Sequence, residues 1–129
     1  MVPAEKPAPL PPRRILVIED NLDTVHTMAR VLREMGHVVD YAINGYAAME
    51  LARRFRPDII LLDIGLPGMD GLELCRRLRA DPAVRDTRIY AITGYASEEH
   101  RARALLAGCD DHFVKPVDLR VIERLLRES

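Results

Sequence analysis

Four short apolar runs dominate the chain: Ile15-Leu16-Val17-Ile18, Ile59-Ile60-Leu61-Leu62, Ile89-Tyr90-Ala91-Ile92 and Phe113-Val114. They are continuous rather than alternating, the pattern of strands covered on both faces, and a sheet covered on both faces is in most cases parallel with helices on either side. Strands are accordingly predicted at 14–18, 38–42, 58–62, 88–92 and 112–114. The segments between them carry helical spacing. Leu22, Val25, Met28, Leu32 and Met35 recur on one face and Gly36 closes the segment. Ala47, Ala48, Leu51, Ala52 and Phe55 do the same before Pro57, and Leu72, Leu74 and Leu78 run from Gly71 to Asp81-Pro82. A fourth helix is predicted from Ser97, a good N-cap with Glu98 and Glu99 in the first turn, to Gly108. A fifth starts at Asp118 and continues through Val121, Ile122, Leu125 and Leu126. Five strand–helix units with no reversal predict an α/β doubly wound parallel sheet.

Residues 1–12 stand apart, with prolines at 3, 7, 9, 11 and 12, and are expected to form an extended, solvated tail or linker. The remaining 13–129 is one domain, long enough for a real hydrophobic core. Nineteen basic against twenty acidic side chains leave a net charge of −1, which offers no general attraction to nucleic acid or an anionic membrane. No apolar run approaches the roughly 20 residues of a membrane span, and no secretory h-region is evident, so a cytoplasmic location is expected. Cys75 and Cys109 read as small buried hydrophobes, because a disulfide or metal pair would call for closer spacing or a secreted context.

The predicted strands end on polar residues: Glu19-Asp20, Asp63, Thr93-Gly94 and Lys115-Pro116. Carboxyl ends of parallel strands gather along one edge, where open α/β sheets bind ligands. Alone, Glu19-Asp20 reads as a helix-capping pair, Thr93 as a loop-satisfying hydroxyl and Lys115 as a surface lysine. Together they are three carboxylates, a hydroxyl and an ammonium at one place. Crowded carboxylates repel and need a cation, and hard oxygen donors suit Mg²⁺. A carboxylate such as Asp63 can attack phosphorus and become an acyl phosphate, while a metal and a lysine offset the charge on the phosphoryl oxygens. Gly94 leaves backbone space for such a group, and Pro116 is a candidate cis proline.

The stretches Ile18-Glu19-Asp20-Asn21, Leu62-Asp63-Ile64, Leu66-Pro67-Gly68-Met69-Asp70-Gly71, Ile92-Thr93-Gly94 and Val114-Lys115-Pro116, in this order, resemble the receiver domain of the two-component response-regulator family. The resemblance covers about residues 13–128. It implies a flavodoxin-like (βα)5 fold with strand order 2-1-3-4-5. It implies Asp63 as phosphoacceptor, Glu19 and Asp20 as the acidic pocket for Mg²⁺ (Mn²⁺ as substitute), and Asp63 with the Gly65 backbone carbonyl as the remaining protein ligands. Thr93 and Lys115 would bind the phosphoryl group. The implied donor is a histidine kinase or a histidine phosphotransfer protein, and the implied output is an unidentified partner or attached domain, reached as a monomer or a weak phosphorylation-dependent dimer. The domain would catalyse its own phosphorylation and dephosphorylation without being a turnover enzyme, unless it comes from a hybrid histidine kinase. Residues 108–118 look most like hybrid-kinase receivers, so both a stand-alone regulator and a part of a longer protein are expected possibilities.

Two positions depart from the commonest family pattern. His112 stands where a switch tyrosine or phenylalanine is usual, a smaller ring that can titrate, and is expected to act with Thr93 as the switch. Gly65 supplies no side chain beside Asp63, which leaves Tyr95 as the larger group expected to shield the acyl phosphate. The switch is expected to reach a face bearing Arg101, Arg103, Arg120 and Arg124 with Glu99 and Glu123. Competing readings fit less well. A haloacid-dehalogenase-type phosphohydrolase needs a second acid where Gly65 stands, and a flavodoxin-like carrier would find its phosphate repelled by Glu19-Asp20. A pseudo-receiver serving only as an interaction module would normally have lost part of the acidic site, and this chain keeps all of it.

Overall fold

Five strands lie parallel in the order β2-β1-β3-β4-β5. The structure, a computed structural model, describes residues 12–65, 70–94 and 97–128. Along the chain the elements are β1 (Arg14–Ile18), α1 (Leu22–Glu34), β2 (Val38–Ala42), α2 (Gly45–Phe55), β3 (Ile59–Asp63), α3 (Gly71–Ala80), β4 (Arg88–Thr93), α4 (Glu98–Leu106), β5 (Asp111–Val114) and α5 (Leu119–Glu128). The predicted doubly wound sheet and its strand order are both observed. Most of the proline-rich tail, together with Leu66, Pro67, Gly68, Met69 and Tyr95, lies outside the described residues.

The pleat explains why the central strands are apolar throughout. Leu16, Ile18, Ile60, Leu62, Ile89 and Ala91 face one way, against Ala48 and Ala52 of α2, Leu74 and Leu78 of α3, and Ala104 of α4. Their neighbours Ile15, Val17, Ile59, Leu61, Tyr90 and Ile92 face the other way, against Val25, Ala29 and Leu32 of α1 and Ile122 and Leu126 of α5. Both cores are needed to bury β1, β3 and β4, so the carboxyl ends of these strands sit on a rigid base.

Local signals set the helix limits. Asn21 and Asn44 accept hydrogen bonds from the Thr24 and Ala47 amides, Asp70 from Leu72 and Ser97 from His100. Each therefore satisfies an otherwise orphaned first-turn amide. Asn21 takes the cap of α1, so Asp20 is not needed for it. Gly36 and Gly108, at φ 97° and 109°, follow the ends of α1 and α4 as predicted. The end of α2 is different: Arg56 adopts φ 51° ahead of Pro57, a left-handed conformation that a non-glycine residue takes at a penalty of roughly 1 kcal/mol or more.

Gly71 makes the tightest approach. Its amide donates to the Ile64 carbonyl at 3.2 Å, and a Cβ placed on it would lie 2.4 Å from the Ile64 Cα. Helix α3 thus begins pressed against the backbone that follows Asp63. Gly71→Ala is expected to destabilise the fold by about 1–3 kcal/mol, because backbone must move to admit the methyl group. A urea midpoint equal to that of the unsubstituted protein would contradict this packing.

Candidate functional site

The register delivers the polar residues to one edge. Asp63 pairs with Ile92 across β3 and β4, and Thr93 pairs with Val114 across β4 and β5, so both are the last residues of their strands. Backbone hydrogen bonds carry the ladders a little further, from the Glu19 amide to Ala42 at 3.0 Å and from the Lys115 amide to Thr93 at 2.7 Å. These bonds fix the backbones of Glu19 and Lys115 beyond the strands that lead to them. The Lys115–Pro116 peptide is cis.

Glu19 and Asp63 are buried, Asp20 is exposed, and one carboxylate oxygen from each lies within 4.8 Å of the others. Lys115 Nζ reaches into the cluster, 3.0 Å from Asp63 Oδ2 and 3.4 Å from Glu19 Oε2. The other Asp63 oxygen accepts the Gly65 amide at 2.9 Å, which fixes the plane of the carboxylate. Burial pushes the Glu19 carboxyl up to about 7, aided by a hydrogen bond to Asp63 and by its charge, with Lys115 opposing. Burial also acts to raise Asp63, but hydrogen bonds from Glu19, the Gly65 amide and Lys115 outweigh it and hold Asp63 below its usual range. Lys115 is held above its usual range: attraction to Asp63 and Glu19 overcomes its own desolvation. Burial, with the hydrogen bond to Asp63 and its charge, thus favours a proton on one of these oxygen donors, a penalty that a hard divalent cation would offset, and the donor set fits Mg²⁺.

Thr93 is buried beside this cluster. A Cβ on Gly94 would meet no atom within 4 Å, and one on Gly65 would lie 3.5 Å from Asp63 Oδ1. Glycine at 65 therefore leaves one side of the Asp63 carboxylate without a neighbouring side chain from that position. The pairing of Ala91 with His112 and of Thr93 with Val114 puts Thr93 and His112 on the same face of neighbouring strands. His112 is buried, its Nε2 has no hydrogen-bond partner among the described residues, and burial followed by the Arg101 charge holds its pKa below the ordinary value.

A family comparison agrees with this geometry. Residues 15–127 match the response regulator receiver domain. The chain belongs to that family. The receiver is 32% identical to the polar-differentiation response regulator DivK of Brucella anthropi, over 88% of this chain and 94% of that protein. It is 37% identical to the probable transcriptional regulatory protein SilR of Salmonella typhimurium, over 80% of this chain but only 44% of that longer protein. Among solved structures, the receiver domain of the sensor histidine kinase PA1611 from Pseudomonas aeruginosa, with a magnesium ion coordinated in its active-site cleft, superposes with a TM-score of 0.82 and 33% identity, covering 92% of this chain and 97% of that one. Family membership displaces the phosphohydrolase reading.

All five polar residues named from the sequence, Glu19, Asp20, Asp63, Thr93 and Lys115, stand at the same sheet edge. The steric demand at Gly71 and the meeting of Cys75 with Cys109 are among the features that escaped the sequence, and neither has a local signal. No helix among the described residues is long and apolar enough to cross a membrane.

The raised Glu19 sets a pH dependence for the metal-free protein. Between its ordinary value of 4.5 and about 7 the unfolded chain releases this proton while the folded one keeps it, so stability falls as pH rises through that window. Glu19→Gln removes the ionisable group. In EDTA its stability relative to the unsubstituted protein should therefore improve, by on the order of 2 kcal/mol, between pH 5 and pH 7.5. Parallel stability curves for the two proteins would show that Glu19 is not so perturbed.

Proposed function

We propose that Asp63 accepts a phosphoryl group from a phosphohistidine of a histidine kinase or histidine phosphotransfer protein, in a reaction that depends on Mg²⁺, with Mn²⁺ as a substitute. The observation that carries this reading is the Lys115 ammonium in contact with both Asp63 and Glu19 at the carboxyl edge of the sheet. Asp63 stays ionised and attacks phosphorus; the new P–O bond forms as the P–N bond breaks, and the histidine nitrogen leaves with the electron pair. Glu19, Asp20, Asp63 and the Gly65 carbonyl would hold the metal, which when bound neutralises charge on the phosphoryl oxygens. Lys115 supplies a second positive charge on the same side, and Thr93 a hydroxyl donor to the phosphoryl group. Residues 13–129 would act as the receiver unit and 1–12 as an arm or linker, in a cytoplasmic setting.

The output follows from Thr93 turning toward the phosphoryl group and His112 moving into the space it leaves, a two-state element biased by one new charged group. The face beyond it carries Arg101 paired with Asp111, Arg103 with Glu99, Arg120 with Asp118 and Arg127 with Glu123. Leu105 and Leu106 are exposed beside these pairs. Such a mixed surface suits a reversible contact with a partner or a second copy.

Incubation with a small acyl-phosphate donor should add the phosphoryl mass to the intact protein in Mg²⁺, and not in EDTA. Asp63→Asn should gain none. An Asp63→Asn protein labelled at the original rate would remove Asp63 from the role, and an unlabelled parent protein would favour a pseudo-receiver. Beryllofluoride, a stable phosphoryl mimic, should shift the NMR resonances of His112 and α4; shifts confined to the loops after β1 and β3 would show that the switch stops short of this face.

A further inference from the structure

The chain has two cysteines, 34 residues apart, and the fold brings their sulfurs to 3.1 Å. Cys75 sits on the inner face of α3 with no exposure, and Cys109 opens the path from α4 into β5 with 5%. Both are buried, as expected, and both are free thiols; the sheet nonetheless returns β5 to the α3 side and so brings them together.

The backbones on both sides of this pair are fixed. Arg79, one helical turn after Cys75, donates to the Gly108 carbonyl at 2.7 Å and also bonds the Arg85 and Thr87 carbonyls and the Asp110 carboxylate. A Cβ on Gly108 would lie 2.6 Å from the Arg79 Cγ, so this turn is pressed onto α3. The Cys109 amide is held by the Ala104 carbonyl at 3.0 Å. A disulfide has S–S near 2.05 Å, so the sulfurs need to close by only about 1 Å. The Cys109 thiol donates to Cys75, and that bond, with Arg79 nearby, holds the Cys75 thiol below its ordinary value against the opposing effect of burial. The same hydrogen bond, with burial, pushes Cys109 up. The pair is therefore polarised by its geometry, with Cys109 as hydrogen-bond donor and Cys75 as acceptor.

We propose that Cys75 and Cys109 form a reversible intramolecular disulfide on exposure to a peroxide, a redox input separate from the aspartate site. The Cys75 thiolate attacks one peroxide oxygen, the O–O bond breaks, and a sulfenic acid and hydroxide result. The hydroxide takes the Cys109 proton and becomes water. The Cys109 thiolate then attacks the Cys75 sulfur, the S–S bond forms, the S–O bond breaks, and the departing hydroxide is neutralised by the proton Cys75 first released. Two thiols and one peroxide give one disulfide and two waters. The bond staples α3 to the turn between α4 and β5, and a thiol reductant reverses it, as befits a transient disulfide in a reducing compartment.

The full chain is treated with hydrogen peroxide, unfolded in N-ethylmaleimide and weighed intact, with a dithiothreitol-treated sample alongside. The oxidised protein should take no maleimide and the reduced one two, and a non-reducing tryptic digest should contain Cys75 and Cys109 in one linked pair of peptides. The melting temperature of the oxidised form should rise by on the order of 10 °C. In Cys109→Ala, dimedone should trap a sulfenic acid on Cys75. Two maleimides on the oxidised chain, linkage only between copies, or oxidation ending as sulfinic acid would each overturn the proposal. The digest of the unsubstituted protein decides the matter even if the variant fails to fold.

Discussion

Like charges brought together at a buried point repel, and in this receiver the burden falls on two buried carboxylates, Glu19 and Asp63, delivered by two strand ends with the exposed Asp20 beside them. Lys115 is the protein's own answer, bonded to Asp63 and near enough to Glu19 to attract both. A single ammonium does not offset both the burial of Glu19 and the Asp63 carboxylate beside it, and Glu19 is the group whose pKa is pushed up to about 7. The same shortfall makes the edge receptive to further positive charge. A cation that displaces the Glu19 proton and a phosphoryl group that engages the lysine both act on one electrostatic account. In the proposed function, cation binding and phosphoryl transfer at this edge would thus be coupled through charge.

Such tension is tolerable because it is confined to the edge. Beneath it β1, β3 and β4 are buried on both faces by two separate side-chain clusters, one under α2, α3 and α4 and the other under α1 and α5. Destabilisation at the site is borne by a scaffold whose central strands carry no charged side chain between their first and last residues. The approach of Gly71 to Ile64 ties the start of α3 to the residue directly after Asp63.

Much of this was legible in the sequence for physical reasons. Continuous apolar runs announce two-sided burial, and residues such as Ser97, Gly36 and Gly108 act locally, so their spacing alone marks the helix limits. The polar residues at strand ends were readable once parallel order was granted, because parallel order sends every carboxyl end to one edge. What escaped depends on contacts between distant segments. Asp20 and Asn21 are both good caps on paper, and only the fold gives the cap to Asn21 and leaves Asp20 with the acidic cluster. Arg56 takes a left-handed conformation that no residue preference would select. Cys75 and Cys109 meet only because β5 returns beside β4, a fact about topology rather than spacing.

Arg79 bears on how such a sheet can move. Its guanidinium gathers carbonyls from the segment leading into β4 and from the turn leading into β5, and the Asp110 carboxylate it holds also accepts the Ile89 amide at 2.7 Å. The amino-terminal ends of these two strands are in effect riveted together and to α3. Their carboxyl ends, which bear Thr93 and Lys115, are joined by the bond from the Lys115 amide to the Thr93 carbonyl at 2.7 Å. The pair is thus pinned at its amino-terminal ends, and a displacement of β5 against β4 would pivot about Arg79, with its reach at the carboxyl edge that bears Thr93 and Lys115.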